Sequence, residues 1–110
     1  MEIIDIIKAL GDENRLRILN ILYNSEFLCV CDIEEVLKLT QSNTSRHLNK
    51  LKMLNFINSE KKAQWVYYSI NREILKRYSF IEEILKNLKE EVFINDVENL
   101  KIYLKNKTSC

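Results

Sequence analysis

Across its 110 residues the chain contains no proline and a single glycine, Gly11. Those two residue types punctuate chains into turns and irregular loops, so long loops are excluded and helix should dominate. The length is that of one domain, and 46% apolar residues suffice for one modest core. The first ten residues, MEIIDIIKAL, carry acids where a secretory signal needs a basic start and a longer apolar run. No stretch approaches the roughly 18 to 20 apolar residues that span a bilayer, so no membrane contact is expected and the expected location is the cytoplasm. There the three cysteines, Cys29, Cys31 and Cys110, should be thiols, and an odd count also argues against a disulfide framework.

The formal net charge of +1 conceals a strong partition. Residues 1–40 carry eight acidic and four basic side chains, residues 41–77 eight basic and two acidic, and residues 78–110 six acidic and five basic. A compact basic segment between two acidic ones is the signature of a polyanion-binding element on a neutral scaffold, the plainer alternative being a solvated face.

Apolar periodicity places the helices. Ile3, Ile4, Ile7 and Leu10 form one stripe ending at Gly11, which suits a helix C′ position, and Ile6 widens the stripe enough to suggest contact with a partner chain. Asp12 should cap a second helix carrying Leu16, Ile18, Leu19 and Leu22. Asp32, followed three places later by Glu35, resembles a capping box opening a short third helix with Ile33, Val36 and Leu37 inward. Thr40 is the expected N-cap of a fourth helix with Leu48, Leu51 and Leu54 as its core stripe, and Asn55 stands where a left-handed stop is needed. Two short helices joined by a tight turn make a helix-turn-helix over residues of about 30–54. The second of them has an outer face of Gln41, Ser42, Asn43, Ser45, Arg46 and Asn49, whose amide and guanidinium groups can read base edges in a major groove.

Beyond it, FINSEKKAQWVYYSI (Phe56 to Ile70) turns to β-favouring residues, with Glu60 to Ala63 as the expected hairpin tip and Lys61 and Lys62 placed to meet a phosphate backbone. Arg72–Leu88 and Phe93–Leu104 are predicted helices, with stripes of Ile74, Ile81, Ile84, Leu85 and Leu88, then Val97, Leu100, Tyr103 and Leu104. The expected fold is mainly α with a small β-hairpin over about 57–70. It is a single domain over residues 1–110, closed by helices over about 72–105. Apolar stripes on the first helix and around Ile84, Leu88 and Leu100 exceed what the core can bury, which predicts a homodimer.

Helices, a helix-turn-helix and a basic hairpin in this order make a winged helix-turn-helix, and from about Ile3 to Ile70 the chain resembles the ArsR/SmtB family of metalloregulators. ALGDENRLRIL (Ala9 to Leu19) resembles the opening of that family's second helix, TQSNTSRHLNKLKMLNFI (Thr40 to Ile57) its recognition helix, and WVYYSI (Trp65 to Ile70) its second wing strand. LCVCD (Leu28 to Asp32) is similar to its thiol metal motif. The resemblance implies a homodimeric transcriptional repressor that leaves a palindromic operator when a metal binds. By position it gives DNA contacts to Gln41, Ser42, Ser45, Arg46, His47, Lys61 and Lys62. His47, the only histidine, is equally compatible with packing beneath the helix, and without a second histidine it has little support as a metal ligand.

Cys29 and Cys31 are the candidate metal ligands. The plainest alternative is two small buried residues, since free cysteine packs well. Against that, a helix entry lowers thiol pKa and thiolates select soft ions. Two residues apart on an intact helix, the sulfurs would diverge, so shared ligation requires Leu28 to Asp32 to be extended or unwound. Among the ligand patterns the resemblance brings, the cadmium/lead type adds N-terminal cysteines, and none precedes Cys29 here. The zinc/cobalt type needs histidine on the helix after the wing, and Arg72–Leu88 has none. The arsenite/antimonite type remains, with As(III) or Sb(III) as inducer. Glu34 stands where many of its members carry a third cysteine, and Cys110 is the candidate replacement, if not an incidental terminal thiol. The rival readings are a thiol redox switch on the same fold, a sensor of another soft metal, a thiol enzyme and a metal-blind winged helix. An enzyme needs a partner base, and no histidine lies near the pair in sequence, so none is expected.

Overall fold

The computed structural model describes residues 2–107. Its elements run α1 (Ile3–Leu10), α2 (Glu13–Tyr23), β1 (Leu28–Cys29), α3 (Val30–Leu37), α4 (Gln41–Met53), β2 (Ile57–Lys62), β3 (Trp65–Ile70), α5 (Arg72–Arg77), α6 (Ser79–Lys86) and α7 (Glu91–Asn106). The chain is therefore mainly helical with one small sheet, the winged helix-turn-helix architecture expected from the residues.

Local chemistry sets the boundaries. Asp12 caps α2, its carboxylate accepting the Arg15 N–H at 3.0 Å, and Thr40 caps α4, its hydroxyl accepting the Asn43 N–H at 3.2 Å. Each such cap contributes about 1 kcal/mol. Asn55 follows α4 with φ 64°, and Lys38, in the turn between α3 and α4, also adopts the left-handed conformation at φ 57°. Gly11 ends α1 at φ −78°, so the chain's one glycine is not used for left-handed freedom. The core gathers around α2: Ile18, Leu19 and Leu22 pack with Ile33 from α3, Leu48 and Leu51 from α4, Phe56 and Ile57 at the wing base, and Ile81 from α6.

Four expectations change. The sheet has three strands in the order β1-β3-β2, because Leu28 pairs with Tyr68 and Cys29 with Tyr67. A two-residue strand is too short to announce itself in sequence. The hairpin turn is Ala63–Gln64, with Ala63 at φ 57°, so Lys61 and Lys62 lie on β2 opposite Val66 and Trp65. The helix expected over Arg72–Leu88 breaks at Tyr78, φ −125° and ψ 78°, which lets Ile74 and Leu75 on α5 and Ile81 and Leu85 on α6 all turn inward. Finally, the apolar residues left outside are only in part those expected. Ile6 and Leu100 are buried within the chain and Ile84 and Leu88 pack against its core, whereas Ile3, Ile4 and Ile7 on α1 and Ile94, Ile102 and Leu104 on α7 are exposed.

Candidate nucleic-acid interface and thiol site

Helix α4 turns its polar face outward. Thr44, His47, Leu48 and Leu51 face inward, while Gln41, Ser42, Arg46, Asn49 and Lys50 are exposed and Asn43 and Ser45 half-buried. Arg46 donates from Nη2 to the Asn43 side-chain oxygen at 3.1 Å, which holds the guanidinium fork on the outer face one turn from the helix start. Lys61 and Lys62 sit at the free end of the hairpin, and Lys62 Nζ lies 5.6 Å from the centre of the Phe27 ring. A polar helix face with a basic hairpin beside it can take a duplex by base edges and by phosphates together.

His47 is placed differently from the other residues assigned to DNA. It is 2% exposed, with Nε2 4.0 Å from the Asp12 carboxylate, and among the described residues Nδ1 has no hydrogen-bond partner. It packs beneath α4 instead of facing outward. Burial lowers its pKa, only partly opposed by Asp12. The folded imidazole therefore resists protonation. Its contribution to stability is complete above the ordinary value of about 6.5 and is lost as pH falls through the lowered folded value. Thermal melts should show stability falling from about pH 6.5 downward, and His47→Gln should flatten that part of the profile.

The thiol site forms where β1 becomes α3. Cys29 is the N-cap of α3, extended at φ −84° and ψ 168°, and Cys31 lies in the first helical turn. This bend, not a regular helix, carries both sulfurs to the same place. Their Sγ atoms are 3.0 Å apart, beyond the roughly 2.05 Å of an S–S bond, so they are not bonded to each other. Cys29 carries a thiol but Cys31 is disulfide-bonded, against the expectation that every cysteine stays reduced, so the two act as a thiol pair only after reduction. The convergence is thus built into the fold, and no unwinding of α3 is needed for both sulfurs to reach one ion. Asp32 at N3, rather than at the N-cap, completes a reciprocal cap: its carboxylate accepts the Cys29 N–H at 2.8 Å, while the Asp32 N–H faces the Cys29 side chain. Both sulfurs and an Asp32 oxygen lie within 4.8 Å of one another.

The electrostatics differ from the expectation of an activated thiolate. Burial pushes the Cys29 thiol up, the Asp32 carboxylate adds to the rise, and the Asp32 and Cys31 amide groups oppose it without cancelling it. Burial alone would raise the Asp32 carboxyl, but the Lys107 ammonium, the Tyr103 hydroxyl and the Cys29 amide hold it below its ordinary range. Tyr103 Oη donates to Asp32 Oδ1 at 2.6 Å, and Lys107 Nζ lies 2.8 Å from the same oxygen. Cys110 lies outside the described residues. Tyr103 was legible only as a stripe residue; its signal was a hydroxyl-bearing side chain at a position of α7 facing α3. Nothing in the sequence pointed to Lys107.

A polar reading helix, a basic hairpin and a cysteine pair at the start of the first helix of the motif define a winged helix-turn-helix transcriptional regulator. A family model described as "Bacterial regulatory protein, arsR family" matches residues 12–59. The chain is also 44% identical over 86 residues to the cadmium resistance transcriptional regulatory protein CadC of Listeria innocua serovar 6a, spanning 77% of this chain and 69% of that protein. The chain belongs to the arsR family. It is 44% identical over 66 residues to the arsenical resistance operon repressor of Bacillus subtilis (strain 168), covering 60% of this chain and 63% of that protein. Among solved structures, reduced HlyU from Vibrio cholerae N16961 matches with a TM-score of 0.68 at 31% identity, over 79% of this chain and 88% of that one. The family and fold are those of DNA-binding regulators, and no described helix is long and apolar enough to cross a membrane.

Proposed function

We propose that the protein is a cytoplasmic, homodimeric repressor that binds a palindromic operator through α4 and the wing and is released when As(III) or Sb(III) binds Cys29 and Cys31. The observation that carries the inducer reading is the pair of sulfurs 3.0 Å apart in a partly buried bend that opens α3. Once a small cellular thiol has reduced Cys31 by disulfide exchange, arsenous acid condenses with the two thiols, each S–As bond replacing an As–O bond with loss of one water. This chemistry needs no preformed thiolate, which suits a thiol that burial holds protonated. Cys110, the remaining cysteine of the chain, lies outside the described residues. It is the candidate third sulfur. The names of the CadC and arsenical relatives support a toxic-metal signal in general. The exposed isoleucines of α1 and the apolar side chains of α7 supply the dimer face, and two-fold symmetry would set the two α4 helices about one DNA turn apart, roughly 34–36 Å.

A single experiment tests the reading: operator release followed by fluorescence anisotropy during titration with arsenite, antimonite, cadmium, zinc and peroxide, with sedimentation to give the oligomeric state. Release by arsenite or antimonite at the lowest concentration, from a dimer, is expected. Release by peroxide alone would favour the redox reading, to which the same proximity of the two sulfurs lends support.

Two substitutions probe the DNA face. Arg46→Ala should weaken specific binding by about 1–3 kcal/mol and relax base preference, because a bidentate fork reads guanine. Lys61→Ala with Lys62→Ala should weaken all sequences alike and reduce the log–log salt slope by about one for each lysine that neutralises a phosphate. Parent-like binding by both variants, measured across a salt series, would refute the assignment of this face.

A further inference from the structure

We propose that Asp32 couples the thiol pair to the end of α7, with Tyr103 and Lys107 as positioning residues that set how tightly the pair holds its ion. The inference rests on the thiol-site reading above and adds to it a second element whose docking responds to the ion.

The geometry is specific. Asp32 is 1% exposed, and its carboxylate spans two parts of the chain 71 residues apart. Oδ2 accepts the Cys29 N–H at 2.8 Å, and this bond holds Cys29 in the extended N-cap conformation that brings its sulfur to Cys31. Oδ1 takes the Tyr103 hydroxyl at 2.6 Å and the Lys107 ammonium at 2.8 Å. One buried side chain thus fixes the sulfur geometry on one oxygen and the last turn of α7 on the other. An ion between the sulfurs must adjust the N-cap bend, and the adjustment reaches Tyr103 and Lys107 through a carboxylate that cannot leave its donors without a large desolvation cost. Coupling of this kind is reciprocal: whatever the ion does to the docking of α7, that docking does to ion affinity. Partners that orient a ligating residue without touching the ion are typically worth 10–100-fold in affinity. The α7 residues next to the clamp, Ile102 and Leu104, are among the exposed apolar side chains, so a change in docking is delivered to the proposed dimer face.

The test titrates the full-length reduced protein with arsenite and with cadmium, followed by sulfur-to-metal charge-transfer absorbance. It compares the parent with Tyr103→Phe, Lys107→Met and Lys107→Arg. The first two variants should bind each ion about 10–100-fold more weakly, with operator affinity in the absence of ion unchanged and Lys107→Arg close to the parent. Amide hydrogen exchange on the parent is the second arm and needs no variant to fold: exchange over Leu100–Asn106 should change when ion is added. If the parent binds ion but the variants match it, or if exchange at the end of α7 is indifferent to ion, the coupling is refuted while the thiol site stands. If the parent binds neither ion, the thiol-site reading fails and the coupling with it.

Discussion

Cys29→Ser and Cys31→Ser are each expected to abolish release by arsenite while leaving the protein folded and bound to its operator. Serine is close to cysteine in volume but offers a hard, protonated hydroxyl that a soft ion does not select. At position 29 it is also a preferred N-cap, so α3 should start as well or better than before. The loss of response should exceed the 10–100-fold typical of removing a residue that only orients a ligand, because here a ligand itself is removed. Anisotropy of labelled operator against arsenite concentration measures it. Serine variants that release like the parent would end the thiol assignment and leave the winged-helix reading intact. Cys110→Ser separates the alternatives further: a large loss makes the tail cysteine a ligand, and an unchanged response leaves the pair alone sufficient.

Asp96→Ala should be the most destabilising single change outside the apolar core. Arg17 donates to Asp96 twice, Nε to Oδ2 at 2.8 Å and Nη2 to Oδ1 at 2.9 Å, and Nη2 also reaches the Leu37 carbonyl at 3.1 Å. Asp96 is almost fully buried and Arg17 largely so. Removing the carboxylate leaves a guanidinium inside the protein without its counter-charge, which costs about 3–5 kcal/mol. For a domain of this size that is a fall in melting temperature of roughly 10 °C or more. Urea or thermal unfolding at fixed protein concentration checks it. Replacing both partners by apolar residues of similar volume should be far milder, since the cost lies in the orphaned charge and not in the loss of attraction. Because Leu37 closes α3, the same lesion should also loosen the helix-turn-helix and weaken operator binding. Melting parallel to the parent would show that Arg17 finds other partners.

The features legible in the sequence were those set by local chemistry. Asp12 and Thr40 are capping residues wherever they occur, and the 3.6-residue period of Leu48 and Leu51 orients α4 without reference to the rest of the chain. Hence the polar face from Gln41 to Asn49 could be drawn correctly, apart from His47, which shares the inner side with Thr44 and Leu48. Features that depend on distant partners were not legible. Helix α3 starts earlier than the Asp32 pattern suggests, because Cys29 is held by the Asp32 side chain and by pairing with Tyr67 on β3, which the local pattern does not reveal. The break at Tyr78 serves packing of α5 and α6 on opposite sides of a bend, and a continuous stripe gave no sign of it. The Arg17–Asp96 and Asp32–Tyr103 pairs join residues more than seventy positions apart, and charged residues on amphipathic helices look alike until the helices are brought together.

The two-residue strand β1 has a consequence for how the domain assembles. Leu28 pairs with Tyr68, forty positions away, so this short ladder closes a ring of chain that contains all of α3, α4 and the first wing strand. The β2–β3 hairpin is local and belongs to the microsecond class of events, and the helices form faster still. Closing a ring of this length carries a loop entropy that only the docked helices can offset, so the ladder should form late and act as a latch on a preassembled unit. With no proline in the chain, no slow peptide-bond isomerisation stands in its way. Cys29 is one of the two residues of that latch. The sulfurs are therefore locked in place only when the reading head is already built, and an immature or partly opened chain offers a thiophilic ion a cysteine pair held by the local Asp32 cap alone.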